Sequence, residues 1–205
     1  MYPLRLSAAV AALALAFPAA RAAEPWADPK LPVTDGLQLW LDAGRIEAAA
    51  RAAKEKVVVG DRLAAWPDAS GKGRHLRQPT EASQPKLVRL GDGVADVRFD
   101  GEDDRLGLTG SNEELKDFTL FLVVAPRTNP GGFRAFFALN APNGRDYETG
   151  LNVDMGPNGT PRFTELNVEG NGFGGARNLM TKAGGEFGRL YQLEVTGDAK
   201  AVRAV

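Results

Sequence analysis

The pattern of apolar and polar residues differs between residues 45–56 and the chain from Val57 onward. Residues 45–56 are rich in Ala, Glu, Arg and Lys, which favour an α-helix, and Ile46 is the only large apolar side chain among them. This predicts one short helix on the surface. From Val57 onward, short apolar runs alternate with clusters of Gly, Asp, Asn and Pro. That pattern is typical of β-strands joined by turns.

Several short segments fit a strand pattern. They cover residues 37–41, 63–66, 86–90, 95–99, 118–125, 133–139, 151–154, 162–168 and 190–195. Residues 118–125 are apolar at nearly every position, which predicts a central strand buried on both faces. Short strands at this spacing predict an all-β fold, either a sandwich or a barrel.

The first residues have the features of a secretory signal peptide. Arg5 precedes an apolar run at residues 6–17, and Ala20-Arg21-Ala22 is a small-residue cleavage site. The run is shorter than the roughly 20 residues that span a bilayer. We therefore expect residues 1–22 to be removed, residues 23–35 to form an extended, proline-containing lead-in, and residues 36–205 to form one domain.

Charge and cysteine content exclude several classes of function. After cleavage the chain carries 23 basic and 26 acidic residues, a net charge of −3. A mildly acidic domain repels phosphate, so nucleic acid is not an expected partner. Without a basic stripe or a spanning segment, we expect no membrane insertion after signal cleavage. The chain has no Cys, which excludes thiol catalysis and cysteine metal sites. The expected location is secreted, periplasmic or at the cell surface.

Four stretches carry a family resemblance. They are L-W-L-D-A at 39–43, W-P-D-A-S-G-K-G-R-H-L at 66–76, V-R-F-D-G at 97–101 and the apolar run at 118–125. In this order they resemble the laminin-G-like members of the concanavalin A-like lectin/glucanase superfamily in bacterial exported proteins. The resemblance covers roughly residues 36–195. It implies a two-sheet antiparallel, jelly-roll-like sandwich with one short surface helix.

The same resemblance suggests where a ligand and a metal would bind. Folds of this kind tend to bind through aromatic platforms and loop amides, which makes Tyr147, Asn171 and Phe173 the candidate ligand-binding residues. Laminin-G-like folds also often hold calcium at a loop rim. In this chain we expect the loop at residues 140–154 to be that rim, and its oxygen donors are Asn140, Asn143, Asp146 and Asp154.

Residues 66–76 and the C-terminal residues 196–205 lead to two further structural expectations. In residues 66–76, Gly71 and Gly73 lie where a tight turn needs positive φ, and Asp68 and Ser70 can hold that turn by hydrogen bonds. The family usually continues beyond the strand at 190–195 with further strands. Residues 196–205 therefore predict a C-terminally incomplete sandwich, and the alternative is a naturally shorter one.

Three functions remain open on the sequence. The preferred one is a non-catalytic binding module for a carbohydrate or an extracellular protein surface. The second is a glycoside hydrolase or another polysaccharide-active enzyme. Glu165, Asn167 and Glu169 would share one strand face, but Asn167 cannot ionise, and the two glutamates would lie about 13 Å apart on a flat strand, too far for either glycosidase geometry. The third is a structural spacer in a cell-surface assembly.

Other motifs favour structural roles. Residues 170–175 match G-x-G-x-x-G, but no long helix is predicted after them, so a loop is the better interpretation. His75 is the only histidine and is expected to be a turn or surface residue. The acidic residues at 100–104 lack the spacing of a calcium-binding EF-hand loop and are expected to form a solvated turn.

Overall fold

The fold is all-β, with antiparallel sheets and short helices. The structure is a computed structural model, and it describes residues 24–91, 93–110, 116–170, 173–176, 180, 184–198 and 202–205, with the backbone alone at 173–176 and 202. The predicted signal peptide lies outside these residues. Contacts divide the described chain into two compact units, one within Met1–Ser111 and one within Asn112–Val205.

The first unit contains a short helix and two antiparallel strand pairs. A 3-10 turn at Ala43–Arg45 leads into helix α1, Ile46–Ala52. Strand β1 pairs with β2, and strand β3 pairs with β4. Their bounds are Ala65–Trp66, Leu76–Arg77, Lys86–Arg89 and Ala95–Arg98.

Helix α1 is shorter than predicted and more deeply packed. Ile46 is only 2% exposed, and Ala49 and Ala50 are also buried. Ile46 forms one cluster with Leu63, Leu87 and Val97. A single large side chain, flanked by alanines that permit close approach, is therefore enough to anchor the helix on the core of this unit. No helix among the described residues is both long and apolar enough to cross a membrane.

The turn after β1 is organised around Asp68. Its carboxylate accepts hydrogen bonds from the backbone N–H groups of Trp40, Ser70 and Arg74 and from the Ser70 hydroxyl, at 2.7–3.1 Å. Gly71 and Gly73 have φ of 82° and 70°. The predicted roles of Asp68, Ser70 and the two glycines in the turn are confirmed.

The second unit contains the longer strands. One sheet has the order β11-β10-β8-β7, a second has the order β13-β12-β5, and β6 pairs with β9. A short helix, α2, lies between β7 and β8. The bounds are β5 Phe118–Val124, β6 Asn129–Gly131, β7 Ala135–Leu139, α2 Asp146–Thr149, β8 Leu151–Asp154, β9 Asn158–Thr160, β10 Asn167–Gly170, β11 Phe173–Ala176, β12 Tyr191–Gly197 and β13 Val202–Ala204.

Both larger sheets contribute side chains to the core of the second unit. Val153 on β8, Val168 on β10 and Val195 on β12 are completely buried and belong to one cluster. Alternate residues of β5 pack against the same cluster, among them Leu120 and Leu122. These contacts make the unit one folded body.

Strand β5 corrects one sequence-based prediction. Phe121 is 58% exposed and Val123 is 67% exposed, so the strand is not buried on both faces. Burial instead alternates along the strand, although the residues are apolar on both sides. The error has a clear cause: a continuous apolar run matches a doubly buried strand equally well, and periodicity cannot tell whether a second layer covers the outer face.

Two other predicted strands differ in the structure. Residues 37–41 form no strand, and only an isolated bridge joins Leu41 to Asp68. The strand predicted at 162–168 is instead β10, which begins at Asn167. Glu165 therefore lies outside the strand that carries Glu169, which changes the geometry assumed for these two carboxylates.

Candidate functional site

The site begins with the alternation of residues along β8. Leu151 and Val153 point into the core, so Asn152 and Asp154 point to the opposite face of the sheet. On β10, Asn167 pairs with Asp154 and Glu169 pairs with Asn152. Directly paired residues share a face, so these four side chains form one polar surface, here called the polar face.

Asp154 lies at the centre of the polar face and is completely buried. It accepts hydrogen bonds from Asn152 Nδ2 at 2.8 Å, from Gly156 N at 2.6 Å and from Asn167 Nδ2 at 3.5 Å. Burial raises the pKa of this carboxyl above its ordinary value, and the negative charges of Glu169 and Asp146 raise it further. The hydrogen bonds from Gly156 and Asn167 oppose this shift without cancelling it.

Two acceptor oxygens beside Asp154 have no hydrogen-bond partner. Asn152 Oδ1 and Glu165 Oε2 are both buried, and no described residue donates to them. The Glu165 carboxylate lies against Gly156, where an added Cβ would collide with Oε2 and would lie 3.0 Å from Asn167 Nδ2. Each unsatisfied acceptor costs about 1–3 kcal/mol, so the polar face is suited to a ligand that brings hydrogen-bond donors.

Residues 140–150 precede β8 and include α2, and we call them the α2 cap; the charge of Asp146 in this segment acts on Asp154. Helix α2 contacts β8 and β10. Local hydrogen bonds hold the segment together: Asn140 Nδ2 donates to Gly144 O, and Thr149 Oγ1 accepts from Ala141 N.

The predicted ligand-binding residues lie in two places. Tyr147, in the α2 cap, is exposed, and its hydroxyl accepts a hydrogen bond from Arg145 at 2.9 Å. The Arg145 guanidinium carbon lies 5.8 Å from the centre of the tyrosine ring. Phe173 lies on β11, where the structure describes the backbone only, and Asn171 lies outside the described residues.

The predicted calcium ligands divide between the cap and the sheet. Asn140 and Asn143 are exposed cap residues, and Asp146 accepts a hydrogen bond from the backbone of Tyr147 at 2.9 Å. Asp154 is the last residue of β8. Of these four, the Asp146 charge acts on Asp154 strongly enough to raise its pKa. Calcium binding by this set remains a prediction.

Among the described residues, the only close group of three carboxylates is Asp100, Asp103 and Asp104 in the first unit. Asp100 accepts backbone hydrogen bonds from Glu102, Asp103 and Asp104, and Asp104 also pairs with Arg62 at 3.6 Å. The bond from Glu102 lowers the pKa of Asp100 the most. These bonds organise a local turn, in line with the predicted turn.

The G-x-G-x-x-G stretch and His75 both have structural roles in the fold. β10 pairs antiparallel with β11, so the G-x-G-x-x-G stretch at 170–175 connects two strands and does not open a helix. His75 Nδ1 accepts a hydrogen bond from Asp68 N at 3.0 Å, and its Nε2 lies 3.5 Å from Glu24. His75 is thus part of the Asp68 turn.

Sequence reasoning did not identify Asn152 as a site residue, and it treated Asn167 only as a missing carboxylate. The signal that could have found Asn152 is the alternation L-N-V-D in β8, in which both polar residues share one face. Comparison of the chain with protein-family models, curated proteins and solved structures gave no significant match. Function must therefore be argued from the site.

Proposed function

We propose that this chain is a secreted or periplasmic, non-catalytic module that binds carbohydrate at the polar face and the α2 cap. The observation that carries the proposal is a pair of buried acceptors, Asn152 Oδ1 and Glu165 Oε2, to which none of the described residues donates a hydrogen bond. Sugar hydroxyls are donors that satisfy such oxygens, and the exposed ring of Tyr147 offers an apolar surface nearby. The core shared by the two larger sheets supports the sandwich architecture that the resemblance implies.

The enzyme alternative is supported by one observation, the raised pKa of Asp154 near Glu169. A carboxyl with a raised pKa beside a second carboxylate is typical of a glycosidase acid. However, Asp154 is completely buried, so its proton reaches a glycosidic oxygen only if the residues that cover it move. The buried oxygens Asn152 Oδ1 and Glu165 Oε2 need the same movement to meet a sugar hydroxyl, so burial does not separate binding from hydrolysis.

The test is a glycan array probed with the purified protein, followed by calorimetry on each glycan retained. Glu165→Gln replaces Oε1 or Oε2 with an amide donor, so we expect the affinity to fall by about tenfold, the equivalent of one hydrogen bond. Glu186→Gln is the matched control, because Glu186 is an exposed glutamate of the second unit that pairs with Arg162 and lies outside both the polar face and the α2 cap. It should leave the affinity unchanged.

Three outcomes would count against the proposal. The first is that no glycan is retained. The second is that Glu165→Gln and Glu186→Gln bind equally well. The third is the release of reducing sugar from β-glucans, lost in Glu165→Gln or Glu169→Gln, which would establish the hydrolase instead.

A further inference from the structure

Strand β5 forms one edge of its sheet. It pairs with β12 through all seven of its residues, and no other described strand pairs with its second side. Thr119, Phe121 and Val123 are the exposed residues of the strand. Long edge strands with apolar side chains are rare in isolated proteins, because their unpaired backbone groups recruit another strand.

The hydrogen-bond phase shows which backbone groups face the open edge. Glu194 on β12 exchanges two hydrogen bonds with Val205, at 2.9 and 3.0 Å, so its backbone faces away from β5. Phe121 is the residue paired with Glu194. In an antiparallel ladder such a pair shares no hydrogen bond, so the N–H and C=O of Phe121 point to the open edge.

The backbone N–H and C=O groups of Thr119 and Val123 also point to the open edge, because every second residue of a strand faces the same side. No described residue makes a backbone hydrogen bond with any of these three residues at that edge. The backbone of Pro126 faces the β12 side instead, where its carbonyl accepts a hydrogen bond from Gly188 N at 2.8 Å. The missing N–H of Pro126 therefore does not interrupt the edge.

The exposed face of this segment is self-complementary. Read at alternate positions, it is acidic at one end, apolar in the middle and basic at the other: Asp117, Thr119, Phe121, Val123, Ala125 and Arg127. All six are exposed. Two copies that run antiparallel about a two-fold axis at Leu122 place Asp117 opposite Arg127 of the other copy, and Phe121 opposite Val123 of the other copy.

We propose that the β5 edge is a homodimer interface, in which β5 of two copies pair antiparallel about Leu122 to form one continuous sheet. Each copy supplies the same surface, as a two-fold interface requires. The aromatic–aliphatic pairs lie at the centre, and the two Asp117–Arg127 pairs set the register. Strand pairing buries less than the roughly 1,600 Å² of a standard interface, so the dimer is weak and concentration-dependent.

Charge reversal tests both the dimer and its register. In sedimentation equilibrium the purified protein should associate with concentration. Asp117→Arg places two arginines opposite each other at both ends, and Arg127→Asp does the same with aspartates. Either change should raise the dissociation constant by about tenfold or more, because opposed like charges in an interface are repulsive. Asp35→Arg, an exposed reversal in the first unit, is the matched control and should have no effect.

The rescue experiment separates self-association from binding of another strand. An equimolar mixture of the two single variants pairs each arginine with an aspartate, so it should dimerise again, as should the double variant Asp117→Arg/Arg127→Asp. Circular dichroism of every variant verifies folding. The inference is overturned if the wild-type protein stays monomeric at the highest concentration tested. It is also overturned if the single variants associate like wild type, or if neither the mixture nor the double variant recovers.

Discussion

Asp68 and Asp154 are both completely buried, but the pKa values of the two carboxyl groups are shifted in opposite directions. Burial alone would raise the pKa of Asp68, but hydrogen bonds from Ser70, Arg74 and Trp40 outweigh it, and the pKa is lowered. Asp154 has fewer donors and nearby negative charges, and its pKa is raised. Burial by itself therefore does not set the direction in which the pKa of a carboxyl shifts; the balance of hydrogen-bond donors and nearby charges does.

The polar groups next to the two carboxylates also differ in whether they have hydrogen-bond partners. The oxygens of Asp68 and the Nδ1 of His75 are all engaged in the turn that follows β1. At the polar face, by contrast, Asn152 Oδ1 and Glu165 Oε2 receive no hydrogen bond from the part of the chain that the structure describes. Glu24 Oε2, next to His75, also lacks a donor among the described residues, so the contrast is limited to the groups around each aspartate: Asp68 holds several backbone N–H groups, whereas Asp154 lies beside acceptors that are not satisfied.

The largest effect is expected for Asp68→Asn. The amide replaces one carboxylate oxygen with a donor, which then faces the N–H of Arg74 or Ser70. We expect a loss of about 3 kcal/mol in the free energy of unfolding, since buried donors left unsatisfied cost about 1–3 kcal/mol each. Urea unfolding measures it. A loss below about 1 kcal/mol would show that the turn does not depend on the carboxylate.

A smaller effect is expected for His75→Phe. This change removes the acceptor of the Asp68 N–H but keeps the ring that packs 6.0 Å from Trp26. We expect a loss of about 1–2 kcal/mol, the cost of one unsatisfied buried donor. His75→Asn is the control, because its side-chain oxygen can take the place of Nδ1 and should recover most of the stability. A loss in His75→Asn without a loss in His75→Phe would mean that ring packing, and not the acceptor, is what matters.

Asp154→Asn should change the free energy of unfolding by less than about 1 kcal/mol, because the new amide removes a costly buried charge and Asn152 can turn its unpartnered oxygen towards it. The measurement is the same urea titration used for Asp68→Asn. A loss as large as that of Asp68→Asn would remove the distinction between the two aspartates.

The pH dependence should differ in sign between the two carboxylates, and it is the smallest effect. The stability from Asp68 is present above the ordinary carboxyl pKa of 3.8 and is lost as the pH falls through its lowered folded-state pKa. For Asp154 the folded state favours the protonated form. Its contribution is fully present below 3.8 and is lost as the pH rises through its raised folded-state pKa.

Unfolding free energies from about pH 3 to 7 test this difference. Relative to wild type, Asp154→Asn should become more stable as the pH rises above 3.8, the ordinary pKa of the carboxyl. Asp68→Asn should approach wild type as the pH falls below that value. The same slope in both variants would contradict the opposite shifts.

The sequence alone determined the parts of this protein that depend on local chemistry. The all-β character followed from short apolar runs between turn residues, and the Asp68 turn followed from Asp68, Ser70, Gly71 and Gly73, because these residues bond within a few positions of each other. The limits of the strands were less predictable. Residues 37–41 alternate as a strand should, yet form only one bridge, since a strand exists only where a partner supplies its hydrogen bonds.

Only the tertiary structure decided which faces are covered and which polar groups find partners. The apolar run of β5 does not reveal that Phe121 and Val123 are exposed, because no described layer covers them. The candidate site joins Asn152 and Asp154 on β8 to Asn167 on β10, thirteen or more positions along the chain. Their meeting depends on the register between two strands, which is set by the burial of Val153 and Val168 on the opposite face, a long-range packing constraint that no local pattern contains.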